Sequence, residues 1–192
     1  MDPSTWTIRD PTISARGAKS CMLEDMSRED RKIRFTLGSK DSPIQTPFGA
    51  TTYNNEEAKR QTVEFFLDSE QENEFQGVVE WAHVYLATHS DRLFRKTMTP
   101  DQVAECFRSP VTRKDKYRPH VRCKIDTNGR YAVRCWDAEG NRRDLPSDLR
   151  GLQMVPRVLL SHLWCMSREC GLVLLVTDLM ILDSGSDVCP FL

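Results

Sequence analysis

A chain of 192 residues, 39% hydrophobic and 8% aromatic, suits one domain with room for tails. Lys and Arg number 27 against 28 Asp and Glu, and this net charge of −1 argues against a uniformly basic coat for nucleic acid and against a bulk acidic solubiliser. No apolar run approaches the ~18 residues of a membrane span, and the opening MDPSTWTIRD lacks the basic start and apolar stretch of a secretory signal. Seven scattered cysteines suit a reducing compartment, so an intracellular protein, nuclear or cytoplasmic, is expected.

Residues 1–30 mix Pro, Ser, Arg and Asp without a sustained period and are expected to form a disordered arm. In Arg31–Leu37 the alternation of Ile33, Phe35 and Leu37 predicts a half-buried strand. Two prolines within Ser42–Gly49 predict an extended loop or an interrupted edge strand. Gln61–Leu67 is a second strand, with Val63, Phe65 and Leu67 in step. The period then changes. Phe75, Val78, Val79, Ala82, Leu86 and Leu93 share one helical face within Glu72–Lys96, a face that reads as core rather than partner groove. Thr99-Pro100-Asp101-Gln102 supplies an N-cap, a first-turn proline and a capping-box Gln for a short second helix. Strands follow at 121–125 and 131–135, and the longer, more apolar Pro156–Cys165 and Leu172–Leu182 suit central strands. Asp183–Leu192 reads as a tail. About seven β segments with a helical insertion predict an α+β domain over residues 31–182, built on a curled antiparallel sheet or barrel.

Asn128-Gly129 predicts a hairpin turn. A loop at Thr127–Gly129 would pair Ile125 with Tyr131, Cys123 with Val133 and Val121 with Cys135, placing every apolar residue on one face. His120, Arg122, Lys124, Arg130, Arg134 and Trp136 then share the other. This register sets Arg122 opposite Arg134, a destabilising pair that suggests an anion between them. The segment 108–143 carries eleven Lys and Arg against four acids, while 54–80 carries eight acids against two cations. A nearly neutral chain is thus polarised into a basic and an acidic half. The basic half is interleaved with Tyr117, Tyr131 and Trp136, the pattern in which cations track phosphates and rings stack on bases. Against this stands a blander arrangement, a solvated basic hairpin that pairs with the acidic helix.

Other chemistry is poorly supported. His162, Cys165 and Cys170 lack the four-ligand spacing of structural zinc, so no metal is expected. No phosphate loop, nucleophile elbow or His-Glu-x-x-His occurs, and the paired Glu56-Glu57 has no apolar surroundings to raise a pKa. The expectation is a protein without catalysis and without a cofactor.

The order of several pieces resembles the single-stranded DNA-binding proteins of large nucleocytoplasmic DNA viruses, including algal viruses, with relatives in protist genomes. The pieces are Ile44-Gln45-Thr46-Pro47-Phe48-Gly49 before Tyr53, the helix through Trp81 to Phe94-Arg95-Lys96, and Lys116-Tyr117-Arg118-Pro119. The segment Lys124 to Trp136 with Gly129 follows, and then Leu163-Trp164 and Gly171-Leu172. The resemblance implies an OB-like Greek-key barrel that binds single strands with little sequence preference. It implies contacts from Phe48, Tyr53, Lys116, Tyr117, Lys124 and Trp136. The acidic stretch 56–74 and the apolar C-terminal ending depart from that pattern. Joined to the hairpin reading, the expected interface has Arg122, Lys124, Arg130 and Arg134 on phosphates. Trp136, Tyr117 and Phe48 stack on bases, and Arg113, Lys114 and Lys116 lie in a loop able to close over the strand. The partner is single-stranded DNA, with RNA as the other strand of the same chemistry; no membrane is implied. Two alternatives stay open: a protein-interaction module using the acidic helix and the basic hairpin, and a small-molecule enzyme on a β-barrel.

Overall fold

The computed structural model describes residues 3–15, 17–51, 59–114, 117–129 and 131–182, with the backbone alone at Tyr117. The strands are β1 (Trp6–Ile8), β2 (Thr12–Ile13), β3 (Lys19–Asp25), β4 (Arg34–Thr36), β5 (Ala50–Thr51) and β6 (Arg60–Phe66). Helices α1 (Ser69–Thr88), α2 (Ser90–Phe94) and α3 (Pro100–Cys106) come next. They are followed by β7 (Phe107–Arg108), β8 (Val111–Lys114), β9 (Tyr117–Asp126), β10 (Arg134–Trp136), β11 (Arg142–Arg143), β12 (Gln153–Cys165) and β13 (Cys170–Leu182). The strands form one large, unclosed, mostly antiparallel sheet with hydrogen-bonded order β1-β3-β12-β13-β9-β6-β5. The fold class is the expected mixture of a curled sheet with a helical insertion. Its contacts divide into two units, through both of which β9, β12 and β13 run.

The first unit holds residues 1–34, 67–121 and 159–174. Its helices form where the capping signals stand. The Asp68 side chain accepts from the Gln71 amide at 2.8 Å while Gln71 accepts from the Asp68 amide, and Thr99 with Gln102 repeats the arrangement ahead of α3. The apolar stripe Phe75, Val78, Val79, Ala82 and Leu86 is buried, as its spacing predicts. Burying each such large side chain contributes roughly 1.5–3 kcal/mol. The chain breaks at His89, so the single expected helix is two.

Residues 1–30 differ from the expected arm. Lys19–Asp25 is a strand whose residues Lys19 to Met22 pair antiparallel with Cys165 to His162, and Trp6–Ile8 pairs with Leu23–Asp25. Trp6, Cys21 and Leu23 are buried, and Trp6 meets the Trp81 ring edge-on at 5.3 Å. The acids at the end of β3 are internally partnered. Glu24 pairs with Arg9 and Arg31, and Asp25 accepts from the Thr5 and Ser27 hydroxyls at 2.8 and 2.6 Å. Lys19 donates to the Arg92 and Leu93 carbonyls at 2.7 and 2.6 Å, satisfying the end of α2. Gly171 shows why the Leu163-Trp164 and Gly171 pieces occur together: a Cβ there would lie 2.9 Å from the Arg108 carbonyl oxygen and 3.0 Å from Trp164 Nε1.

The second unit holds residues 35–66, 122–158 and 175–192. Phe35, Leu37, Val63, Phe65, Cys123, Ile125, Cys135, Met154, Val176 and Leu179 form its interior. Ile44 bridges Met154 through two 2.9 Å backbone bonds, which anchors the proline-containing loop. The predicted hairpin register is not observed. Gly129 does turn the chain, with φ of 83°, and the Val133 amide donates to the Asp126 carbonyl at 2.8 Å. Beyond that bond the two segments part, because each finds a longer-range partner. Lys124 and Ile125 pair parallel with Leu175 and Val176, while Arg134–Trp136 pairs parallel with Asp178–Met180. Tyr131, placed inward by the expected register, is 65% exposed. The expected tail at 183–192 lies outside the described residues.

Candidate nucleic-acid interface

On β6, Arg60, Thr62 and Glu64 alternate with the buried Val63 and Phe65; on β9, Arg122, Lys124 and Asp126 alternate with the buried Cys123 and Ile125. The two polar faces meet in a three-rung ladder. Arg60 donates to both Asp126 oxygens at 2.5 and 2.8 Å, Lys124 Nζ donates to Thr62 Oγ1 at 2.8 Å, and Arg122 Nε donates to Glu64 Oε1 at 2.9 Å. Three cations face two carboxylates, leaving one positive charge in excess. The ion pairs are also layered. Arg122 and Arg60 are 57% and 52% exposed, above Glu64 and Asp126 at 14% and 10%. Burial, with Arg122 and Arg60 alongside, pulls the Lys124 pKa down, whereas the hydrogen bond to Asp126 holds the Arg60 pKa up.

A second cluster forms where β10 and β11 pair, with Trp136 opposite Arg142. Trp136 is half-buried, and its Nε1 donates to Asp178 Oδ1 at 3.1 Å. Arg134 Nη2 lies 2.8 Å from Asp178 Oδ2. The guanidinium of Arg142 sits 5.3 Å from the indole centroid and that of Arg134 6.0 Å, both within cation–π range. Burial raises the Asp178 pKa, but hydrogen bonds from Arg134, Trp136 and Thr177 outweigh it, so the carboxyl is held below its ordinary value. Asp178 therefore stays ionised at neutral pH and fixes both ring and cation.

The remaining expected residues are placed as follows. Phe48, 62% exposed, belongs to the second unit in a turn closed by the Gly49 amide donating to Thr46 Oγ1 at 3.0 Å. Arg113 and Lys114 are exposed on β8 of the first unit, where Arg113 pairs with Glu72 and donates to Gln76 Oε1 at 3.1 Å. Tyr117 begins β9. Tyr53, Lys116 and Arg130 lie outside the described residues.

Arg122 does not oppose Arg134; one meets Glu64 and the other Asp178, so no unrelieved like-charge pair calls for an anion. The acidic and basic segments also neutralise each other in part, through Glu64 with Arg122 and Glu72 with Arg113. Arg60, Thr62 and Arg142 were absent from the expected site. The alternation that places Val63 and Phe65 inward already puts Arg60 and Thr62 outward, but only the β6–β9 pairing sets them beside Lys124. Among the described residues no three His, Cys, Asp or Glu side chains converge as a metal-binding group, and no helix is long and apolar enough to cross a membrane.

No family model and no curated protein matches the sequence at a significant level. The fold is similar to that of gp2.5, a single-stranded DNA-binding protein encoded by bacteriophage T7, with a TM-score of 0.52 and 13% identity over 81% of this chain and 88% of that one. A single-stranded DNA-binding protein from bacteriophage Enc34, in complex with single-stranded DNA, aligns over 89% of this chain and 93% of its own at a TM-score of 0.47 and 5% identity. At 13% identity the likeness to the T7 protein is one of fold, and it agrees with the OB-like, β-rich architecture expected from the sequence.

Proposed function

We propose that this protein binds single-stranded DNA, without catalysis and with little sequence preference, through the outward polar face of its second unit. Arg60, Arg122, Lys124 and Arg134 neutralise phosphates there, and Trp136 and Phe48 stack on bases. The observation that carries the reading is Trp136: a half-buried indole hydrogen-bonded to Asp178, with the Arg142 and Arg134 guanidinia 5.3 and 6.0 Å from its ring centre, brings an aromatic ring for a base together with two cations for its phosphates. The T7 protein, which shares the fold, is a single-stranded DNA-binding protein, and this supports the same reading. The family resemblance to nucleocytoplasmic viral proteins is consistent with it. Tyr53 and Arg130 add contacts from the second unit, and Arg113, Lys114, Lys116 and Tyr117 add contacts of their own from the first.

Photocrosslinking to an oligonucleotide containing 5-bromodeoxyuridine tests the placement. Crosslinked peptides containing Trp136 or Phe48 are expected. Crosslinks confined to α1–α3 would contradict the proposed face.

A further inference from the structure

Cys106 closes α3, and the next residue, Phe107, pairs in parallel register with Cys170 at the start of β13. The backbone ladder therefore holds the two cysteines side by side, with their sulfurs 3.7 Å apart, at van der Waals contact. Cys106 Sγ donates to the Val103 carbonyl at 3.2 Å. The two thiols differ in access. Cys170 is fully buried, whereas Cys106 is the one cysteine among the described residues that is not buried. It lines a solvent-open cavity of about 460 Å³ with Phe94, Lys96, Arg108 and Arg168.

We propose that Cys106 and Cys170 form a modification site for hydrogen peroxide or a related small hydroperoxide, closing to a disulfide that ties the end of α3 to β13. Peroxide reaches Cys106 from the cavity. The Cys106 thiolate attacks one peroxide oxygen; the O–O bond breaks, hydroxide leaves, and the sulfur becomes a sulfenic acid. The Cys170 sulfur then attacks the Cys106 sulfur. The S–O bond breaks, and the Cys170 proton and the departing hydroxyl leave as water. Two thiols and one peroxide become one disulfide and two waters, with two electrons passing from sulfur to oxygen. Burial, and the neighbouring Cys106, push the Cys170 pKa up, so Cys170 must give up its proton as the departing hydroxyl leaves, while Cys106, which alone of the two meets the cavity, is the thiol that peroxide oxidises first. Closing the gap to a bond of about 2.05 Å needs a side-chain movement under roughly 2 Å, available at the last residue of a helix.

The test is titration of the full chain with hydrogen peroxide, alkylation of remaining thiols, and peptide mass spectrometry. A dithiothreitol-reversible peptide linking Cys106 to Cys170 is expected. In Cys170→Ser, Cys106 should instead accumulate as a sulfenic acid trapped by dimedone. The bond closes a loop of about 65 residues and should raise the melting temperature by roughly 5–10 °C. A wild-type protein whose Cys106 is oxidised without linkage to Cys170, or is linked to Cys189 instead, would overturn the proposal.

Discussion

Trp136→Ala is the most informative single change. In the folded protein the indole makes one hydrogen bond to an ionised acceptor, Asp178, at 3.1 Å. Such bonds are worth about 1.5–3 kcal/mol, a cost that a domain of ordinary stability, about 5–15 kcal/mol, survives. Asp178 keeps Arg134, so no buried charge is orphaned. Binding should suffer more selectively. Losing one stacked base costs about 1–3 kcal/mol, which corresponds to roughly 5- to 150-fold in Kd. Trp136→Phe keeps a π surface and loses only the indole donor, so it should retain most of the affinity. Fluorescence anisotropy of labelled oligo-dT gives the affinities, and circular dichroism with thermal melting verifies the fold. Quenching of tryptophan emission by oligonucleotide should shrink in Trp136→Ala, since Trp6, Trp81 and Trp164 remain. A folded Trp136→Ala protein with Kd within about twofold of wild type and unchanged quenching would refute the stacking role.

Three further outcomes follow from the same geometry. Glu64→Gln removes the carboxylate under Arg122 and should tighten oligonucleotide binding about three- to tenfold at low salt, the gain fading as salt rises; weaker binding would mean that Glu64 orients the arginine rather than offsets it. Gly171→Ala should destabilise the fold by about 1–3 kcal/mol in urea melts, because the Arg108 carbonyl cannot retreat from a Cβ 2.9 Å away; an unchanged midpoint would disprove that packing. His83 packs edge-on against Phe107 with centroids 4.6 Å apart, and burial pulls its pKa below the ordinary 6.5. Its unfolded form therefore binds the proton more readily. His83 contributes a stability loss that begins as pH falls through 6.5 and is complete below the folded pKa, and His83→Leu should flatten this part of a stability–pH curve. A curve of unchanged slope would rule out His83 as its source.

Local signals in the sequence were reliable where the structure is local. Asp68 with Gln71 and Thr99 with Gln102 mark real helix starts, and the buried face of α1 is the one its period picks out. Alternation likewise located β6, and long apolar runs located most of β12 and β13. Partner choice was not legible. Segments 121–125 and 131–135 match each other in pattern, yet both dock on β13, and nothing in either segment records a strand some fifty residues further on. Residues 1–30 hold short strands for a related reason not visible in sequence: two to seven residues give no sustained period, and the pairing of β3 with β12 is long-range. The candidate site was half visible. Arg122, Lys124, Arg134 and Trp136 do point away from the core, but their partners Glu64, Thr62 and Asp178 are distant in sequence.

The most direct measurement is an anisotropy titration of labelled single-stranded oligo-dT of about 30 nucleotides, beside a duplex of equal length, across a range of salt. Tighter binding to the single strand is expected, with log K falling against log salt by about 0.7 for each phosphate neutralised, and with that slope reduced in an Arg122→Ala, Arg134→Ala double variant. Flat curves for both oligonucleotides at low salt would contradict single-strand binding and leave the basic face as a surface for proteins.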